Sequence, residues 1–385
     1  MLHIKGGKLF HEDGYFYDGN IEISCGKITS VGELSDTAGD NDLVIDASGC
    51  YVIPGLTDIH LHGCMGADFC DADEGAIRKI AQYEVSNGVT QICATSMTYP
   101  EDVLTKIFRS VRSYCEKNPN SALGATLVGI NMEGPFISEE KAAAQNTAYI
   151  QSPDTSMFER LNEISGGMIK LCDIAPEMPG GFDFIKAVRN KTHISIAHSD
   201  ADYDTAMEAF EFGADHVTHI FNGMEPFHHR NPGIIGAASD YVKAYVEYIC
   251  DNVHSHPSAA RAAIKLVGDD RLCFISDSMR ATGMPDGESE LGGQTVIKNG
   301  RRANLESGAL AGSVTNLMDC VRIAVYEMNI PLETAVKCAA VNPARAIDIF
   351  DEYGSLAKGK RANIVILDDE LNIRNVIKEG KCIAH

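Results

Sequence analysis

Between residues 57 and 276, short strand-like runs alternate with helix-like ones, and this regularity does most to limit the possible folds. The strand-like runs lie at 57–61, 89–95, 126–132, 170–175, 193–198, 216–220, 241–250 and 271–276, with helix-like runs at 74–87, 100–117, 182–189, 202–212 and 257–267. About eight βα units over about 250 residues predict a (β/α)8 barrel, with an open doubly wound sheet as the alternative. No GxGxxG fingerprint follows any of these strands, which weakens a dinucleotide-binding reading.

Both ends of the chain read differently. Residues 21–24 and 27–31 alternate about a Cys25–Gly26 turn, and 43–46 and 51–55 follow as further strands. The tail repeats the style at 362–367 and 373–377. Neither piece carries enough apolar surface for a core of its own. Pairing the two predicts a small β-sandwich domain formed by both chain termini, residues 1–53 and 351–385, with the barrel, 54–350, inserted between them.

Of 385 residues, 44% are hydrophobic and 23% charged, as in ordinary soluble chains. Lysine and arginine number 33 against 54 acidic residues, a formal charge of −21. Such an excess repels phosphate backbones and anionic lipid, so neither nucleic acid nor a membrane is expected as partner. A small anionic ligand remains open, because a few local cations can hold one. No apolar run approaches the roughly 18 residues of a membrane-spanning helix. The first residues lack a basic head followed by an apolar core, so a cytoplasmic location is expected. Twelve cysteines without a CxxC pair agree with reduced thiols.

In a parallel barrel the reactive groups sit where strands end at the C-terminal rim. The first strand runs into His60 and His62, two apart and so on one face. The third runs into Glu133, the fifth into His198, the sixth into His219 and the eighth into Asp277. Singly, each is weak: with 13 histidines, about 0.4 HxH pairs arise by chance. A lone histidine is more often a satisfied structural residue, and Glu133 before Gly-Pro could simply cap a turn. Their shared position at strand ends is what matters. Imidazoles and carboxylates converging on one point are the ligand set of zinc or a similar divalent ion.

Further polar groups follow the same strands. Asn222 and Gly223 come directly after His219, Arg230 lies in a loop stiffened by Pro232, and His254 follows the seventh strand. Together on one rim they would suit a phosphate or carboxylate. The alternative is a solvated arginine and a packed loop histidine. After Asp277, a long turn-rich stretch with a hairpin-like 295–300 reads as a lid over the site or as a plain surface excursion.

These motifs resemble those of the N-acetylglucosamine-6-phosphate deacetylases of the amidohydrolase superfamily, over essentially the whole chain. The matching stretches are PGLTDIHLHG at 54–63, EGPF at 133–136, AHS at 197–199 and THIFNGM at 218–224. Residues 277–287, LGGQ at 291–294, LAGS at 310–313 and NPARA at 342–346 also match. The resemblance implies a metal-bearing (β/α)8 barrel with a small β-sandwich. It implies Glu133, His198 and His219 as ligands of a principal divalent metal, with His60 and His62 holding a second. Asp277 is implied as general acid/base, also beside the metal. Zinc is the first expectation, iron or another divalent ion the alternative, with one or two per subunit. The implied substrate contacts are Asn222, Gly223, Arg230 and His254 at the 6-phosphate, together with Gln145, Leu310, Ala311 and Gly312. In some relatives the arginine reaches across a dimer interface, so a homodimer is implied.

Two departures stand out. Gln145 replaces a histidine that polarises the acetyl carbonyl in some relatives, and glutamine offers a hydrogen bond without a charge. Around the aspartate, Ser276-Asp277-Ser278 replaces Thr-Asp-Ala and keeps the carboxylate. The expected reaction is hydrolysis of N-acetyl-D-glucosamine 6-phosphate to glucosamine 6-phosphate and acetate. The rivals are the same chemistry on N-acetylgalactosamine 6-phosphate or another N-acyl sugar phosphate, a cyclic-amide or deaminase-type amidohydrolase, and a non-catalytic scaffold.

Overall fold

The computed structural model describes residues 1–32, 42–118 and 124–383, so parts of the predicted terminal segments 1–53 and 351–385 lie outside the described residues. Eight parallel strands form the central sheet: β1 (Leu56–Leu61), β2 (Val89–Thr95), β3 (Thr126–Met132), β4 (Ile169–Ile174), β5 (His193–Ile196), β6 (His216–Val217), β7 (Tyr245–Ile249) and β8 (Leu272–Ile275). Each pairs with its neighbour in sequence, from β1 to β8. The seam between β8 and β1 closes at the rim, where the Asp277 N–H donates to the His60 carbonyl at 3.0 Å and the His62 N–H to the Ser278 carbonyl at 2.8 Å. The predicted barrel is the observed one.

Helices α1 (Glu74–Ser86), α2 (Glu101–Lys117), α3 (Thr155–Ser165), α4 (Gly181–Val188), α5 (Tyr203–Phe212), α6 (Gly233–Asp240) and α7 (Pro257–Val267) lie between successive strands. Local chemistry starts several of them. The side chains of Asp73, Asp154 and Asp202 accept from first-turn N–H groups of α1, α3 and α5, and α7 opens with Pro257 at its first position. The inward face of α1 repeats at helical spacing through Ile77, Ile80, Ala81 and Val85. At the opposite end from the rim, the Asn342 amide donates to the carbonyls of Asp269 and Leu272, both at 2.7 Å. The NPARA stretch is thereby placed at the start of β8, away from the chemistry.

Residues 2–54 and 364–383 supply the strands of one further sheet. Leu2–His11 pairs antiparallel with Tyr15–Ser24, and Tyr51–Pro54 pairs antiparallel with Ile364–Leu367, which joins the two ends of the chain. Ile4, Leu9, Ile21, Val52, Ile364 and Ile377 form its own core. Between β8 and α8 (Leu317–Tyr326), the chain folds into a three-stranded antiparallel sheet of Gly287–Leu291, Gln294–Asn299 and Arg302–Leu305. It is more than the hairpin expected at 295–300. Its Leu291, Val296 and Ala303 share a small core with Met97 and Ala144 of the barrel rim, and Gln294 donates to the Ala144 carbonyl at 2.6 Å. The insertion therefore packs over the barrel mouth.

Candidate active site

Five strand ends converge. His60 closes β1, with His62 two residues on and pointing the same way, while Glu133, His198, His219 and Asp277 follow the last residues of β3, β5, β6 and β8 by one or two positions. All six are buried. His198, His219 and Asp277 leave their strands with positive φ (43°, 36° and 49°), a left-handed conformation costing about 1–3 kcal/mol each for such residues. The backbone bends there, and the surrounding hydrogen bonds hold the side chains toward the barrel axis.

Glu133 is the hub. Its Oε1 lies 3.1 Å from His198 Nε2, 3.4 Å from His219 Nε2 and 3.5 Å from His60 Nε2. Its Oε2 lies 3.4 Å from His62 Nε2, which is in turn 3.3 Å from Asp277 Oδ1. His198 Nδ1 faces the Lys141 carbonyl at 2.7 Å and His219 Nδ1 faces the Asn222 carbonyl at 3.1 Å. A carbonyl only accepts, so each Nδ1 presents an N–H to it and each ring turns its Nε2 toward Glu133. His60 Nε2 is buried without a hydrogen-bond partner. An Nε2 lone pair this close to a carboxylate oxygen is repelled unless a cation, a metal ion or a proton, stands between them. Two trios, His60–His62–Glu133 and Glu133–His198–His219, each bring ligand atoms within 4.8 Å of one another. The donor set fits one or two divalent ions sharing Glu133.

The carboxyls are poised accordingly. Where protons on the imidazoles take the place of a metal ion, burial would raise Glu133, but the charge of His60 and hydrogen bonds from His198 and His219 hold it well below the usual carboxylate range. Burial likewise opposes ionisation of Asp277, and the His62 hydrogen bond with the charges of His60 and His62 outweighs it. Both are ionised at neutral pH.

A cavity of about 290 Å³ opens over this cluster. His62, Glu133, His198, His219 and Asp277 line its floor, and Asn222, Gly223, His254, Leu310 and Gly312 line it too. Gly223 has φ +62°, and a Cβ there would stand 3.0 Å from His198 Nδ1, so the backbone passes close over the His198 ring. Gly134, with φ +80°, leaves space that Thr98 Oγ1 would contest at 2.2 Å from a Cβ. His254 Nδ1 bonds Asp251 Oδ2 at 2.7 Å; burial alone would lower this imidazole, and Asp251 raises it above the ordinary histidine value.

Three expected residues sit differently. Gln145 lines the cavity, but its amide N–H donates to Glu133 Oε2 at 2.7 Å and its carbonyl accepts from the Thr98 N–H at 2.8 Å. It braces the hub carboxylate. Ala311 is buried in the small core beneath the insertion, while its neighbours reach the cavity. Arg230 is exposed on a loop at 225–231 and does not line the cavity of its own chain, because Pro232–Gly233 starts α6 and carries that loop outward. Phe227 beside it is 50% exposed.

Among the buried carboxylates that the reading of the sequence did not single out are Asp58 and Glu247. Asp58 accepts from the His60 N–H at 3.2 Å and the Ser276 N–H at 3.4 Å, tying β1 to β8, and burial pushes its carboxyl up to about 7. Glu247, mid-strand in β7, contacts both His60 and His216. A lone acidic residue at an inward register position of an otherwise apolar strand was the only available signal.

A closed parallel barrel with histidines and carboxylates able to hold a metal ion on its C-terminal rim defines a metal-dependent hydrolase. The chain belongs to the amidohydrolase family, whose model matches residues 51–383. An N-acetylglucosamine-6-phosphate deacetylase of Bacillus subtilis (strain 168) is 34% identical over 98% of this chain and 96% of its own length. One from Lysinibacillus sphaericus is 36% identical, over 94% and 92%. Among solved structures, a mutant N-acetyl-D-glucosamine-6-phosphate deacetylase of Mycobacterium smegmatis in complex with N-acetyl-D-glucosamine-6-phosphate superposes with a TM-score of 0.91 at 28% identity, covering 100% of this chain and 99% of that one.

Proposed function

We propose that this chain hydrolyses the acetamide of N-acetyl-D-glucosamine 6-phosphate, releasing acetate and glucosamine 6-phosphate, in amino-sugar catabolism or cell-wall recycling. The observation that carries this reading is one cavity holding an ionised Asp277 beside the Glu133–histidine cluster and an Asp251-backed His254 on its lining. The relatives' activity agrees with it.

Glu133, His198 and His219 would hold a divalent ion, with His60 and His62 holding a second, and the bound metal would supply Lewis-acid activation of water and of the acetyl carbonyl. Zinc suits the imidazole-rich set best, with iron the alternative. Asp277 accepts the proton of the attacking water as the new C–O bond forms. It then returns that proton to the amine nitrogen as the C–N bond breaks. His62, 3.3 Å away, aims its carboxylate. Gln145 holds Glu133 through its amide N–H. Asn222, the Gly223 backbone and His254 bind the 6-phosphate, and Arg230 completes that site from a second copy of the chain in a homodimer.

Retention of every ligand argues against a non-catalytic scaffold. Among the described residues no helix is long and apolar enough to cross a membrane, and all twelve cysteines are free, which supports a cytoplasmic setting. Acetate release from the glucosamine and galactosamine epimers tests the reading. A clear kcat/KM preference for the glucosamine epimer is expected, and a preference for the galactosamine epimer or no release from either would overturn it.

A further inference from the structure

Glu247 sits at the centre of β7 with its carboxylate wholly buried. Its Oε2 is 2.9 Å from His60 Nδ1 and its Oε1 is 3.1 Å from His216 Nε2. A carboxylate accepts and cannot donate, so both rings turn an N–H toward it. For His60 this leaves Nε2 as the free nitrogen. That atom is buried without a partner, 3.5 Å from Glu133 Oε1 and 3.7 Å from Asp277 Oδ1. His198 and His219 are oriented by other means, the backbone carbonyls of Lys141 and Asn222. The two halves of the ligand set therefore rest on independent supports.

We infer that Glu247 is a positioning residue for the second metal: it selects the Nε2-donor tautomer of His60, fixes the aim of the ring and strengthens it as a donor, while His216 holds the carboxylate from the far side. The inference rests on the proposed function only in taking His60 and His62 as ligands. A carboxylate that merely braced β1, β6 and β7 would affect stability and leave the two metals equally bound or equally lost.

The holoenzyme is dialysed against graded, buffered free Zn²⁺ and the bound metal is counted by elemental analysis. The wild type is expected to fill two positions per chain. In Glu247→Gln the neutral amide offers one carbonyl to two N–H donors, so the second equivalent should weaken by about 10–100-fold while the first stays put. In a His60→Asn background the same substitution should change nothing further. Should Glu247→Gln fail to fold, His216→Gln, which frees one carboxylate oxygen and leaves the His60 bond, should still weaken the second equivalent alone. Equal weakening of both equivalents, or no change in either, overturns the inference. So does a wild type that never binds more than one ion, a result that leaves deacetylation standing if acetate is still released from N-acetylglucosamine 6-phosphate.

Discussion

The backbone N–H of Asp277 donates to the carbonyl of His60 at 3.0 Å, so the residue proposed as proton carrier stands on the seam that closes the barrel. Its φ of 49° turns the chain out of β8 there, and its carboxylate comes to lie 3.7 Å from the ring of the same histidine. Closure of the fold and placement of the Asp277 carboxylate are thus one event. The seam bond is made by main-chain atoms, which separates the side chain's chemistry from its structural setting.

Asp277→Asn should therefore leave fold and metal in place and remove only the proton acceptor. Losing a positioned acid/base costs about 10²–10⁴ in rate, and kcat should fall by that much at every pH between about 6 and 9. Elemental analysis of the same sample should still find the principal metal. Turnover near that of the wild type anywhere in this range would remove Asp277 from the role.

Chelation should abolish activity, and zinc or iron should restore it. The crowding of Nε2 lone pairs around Glu133 adds a physical consequence. A ligand at a hundred times its dissociation constant stabilises the folded state by about 2.7 kcal/mol, so the metal-free protein should melt several degrees lower. Calorimetry with and without chelator reads the shift. An unchanged Tm, with full activity in metal-free protein, would mean that no cation belongs there.

Most of the barrel was legible because its strands are buried runs that end in polar residues at a common rim. His60, His62, Glu133, His198, His219 and Asp277 were visible for that reason. Helix α6, with sequence GIIGAASD, was not, since it is apolar on nearly every side and shows no 3.6-residue period. Helix α3 also went unread, although Asp154 caps it. Glu247 hides within a strand that otherwise reads YV-YI, and only packing brings it to two histidines far away in sequence. Gln145 was visible as a departure, but its bond to Glu133 depends on how the 139–149 loop folds back.

His254 gives a pH prediction. Burial and the charge of Arg302 favour the neutral ring, yet the bond to Asp251, helped by the charges of Asp251 and Asp277, raises the pKa above the ordinary value of about 6.5. A raised pKa means that the imidazolium survives past the usual histidine range and is lost as pH climbs through the raised value. KM for the phosphorylated sugar should stay flat through about pH 6.5 and then rise. Asp251→Asn removes the supporting charge and should move that rise to lower pH. A KM profile identical in both proteins would rule out His254 as a phosphate-binding cation.

Arg230 provides the test of assembly. It is exposed in its own chain and does not line its own cavity, so we propose that it reads the phosphate at a neighbour's site. A charge-assisted hydrogen bond is worth about 1.5–3 kcal/mol, so Arg230→Ala should lower kcat/KM for the phosphorylated sugar by roughly 10- to 150-fold. The unphosphorylated sugar makes no such contact and should barely respond, whereas general damage would depress both. Mixing Arg230→Ala with Asp277→Asn then decides the geometry. In a mixed dimer one site has its own Asp277 and the partner's arginine, and the other site lacks both. Random exchange should restore about a quarter of wild-type activity if the arginine acts across the interface. No recovery, with exchange shown by native mass spectrometry, would place Arg230 in its own site through a loop movement, or outside phosphate binding altogether if the two sugars lose activity equally.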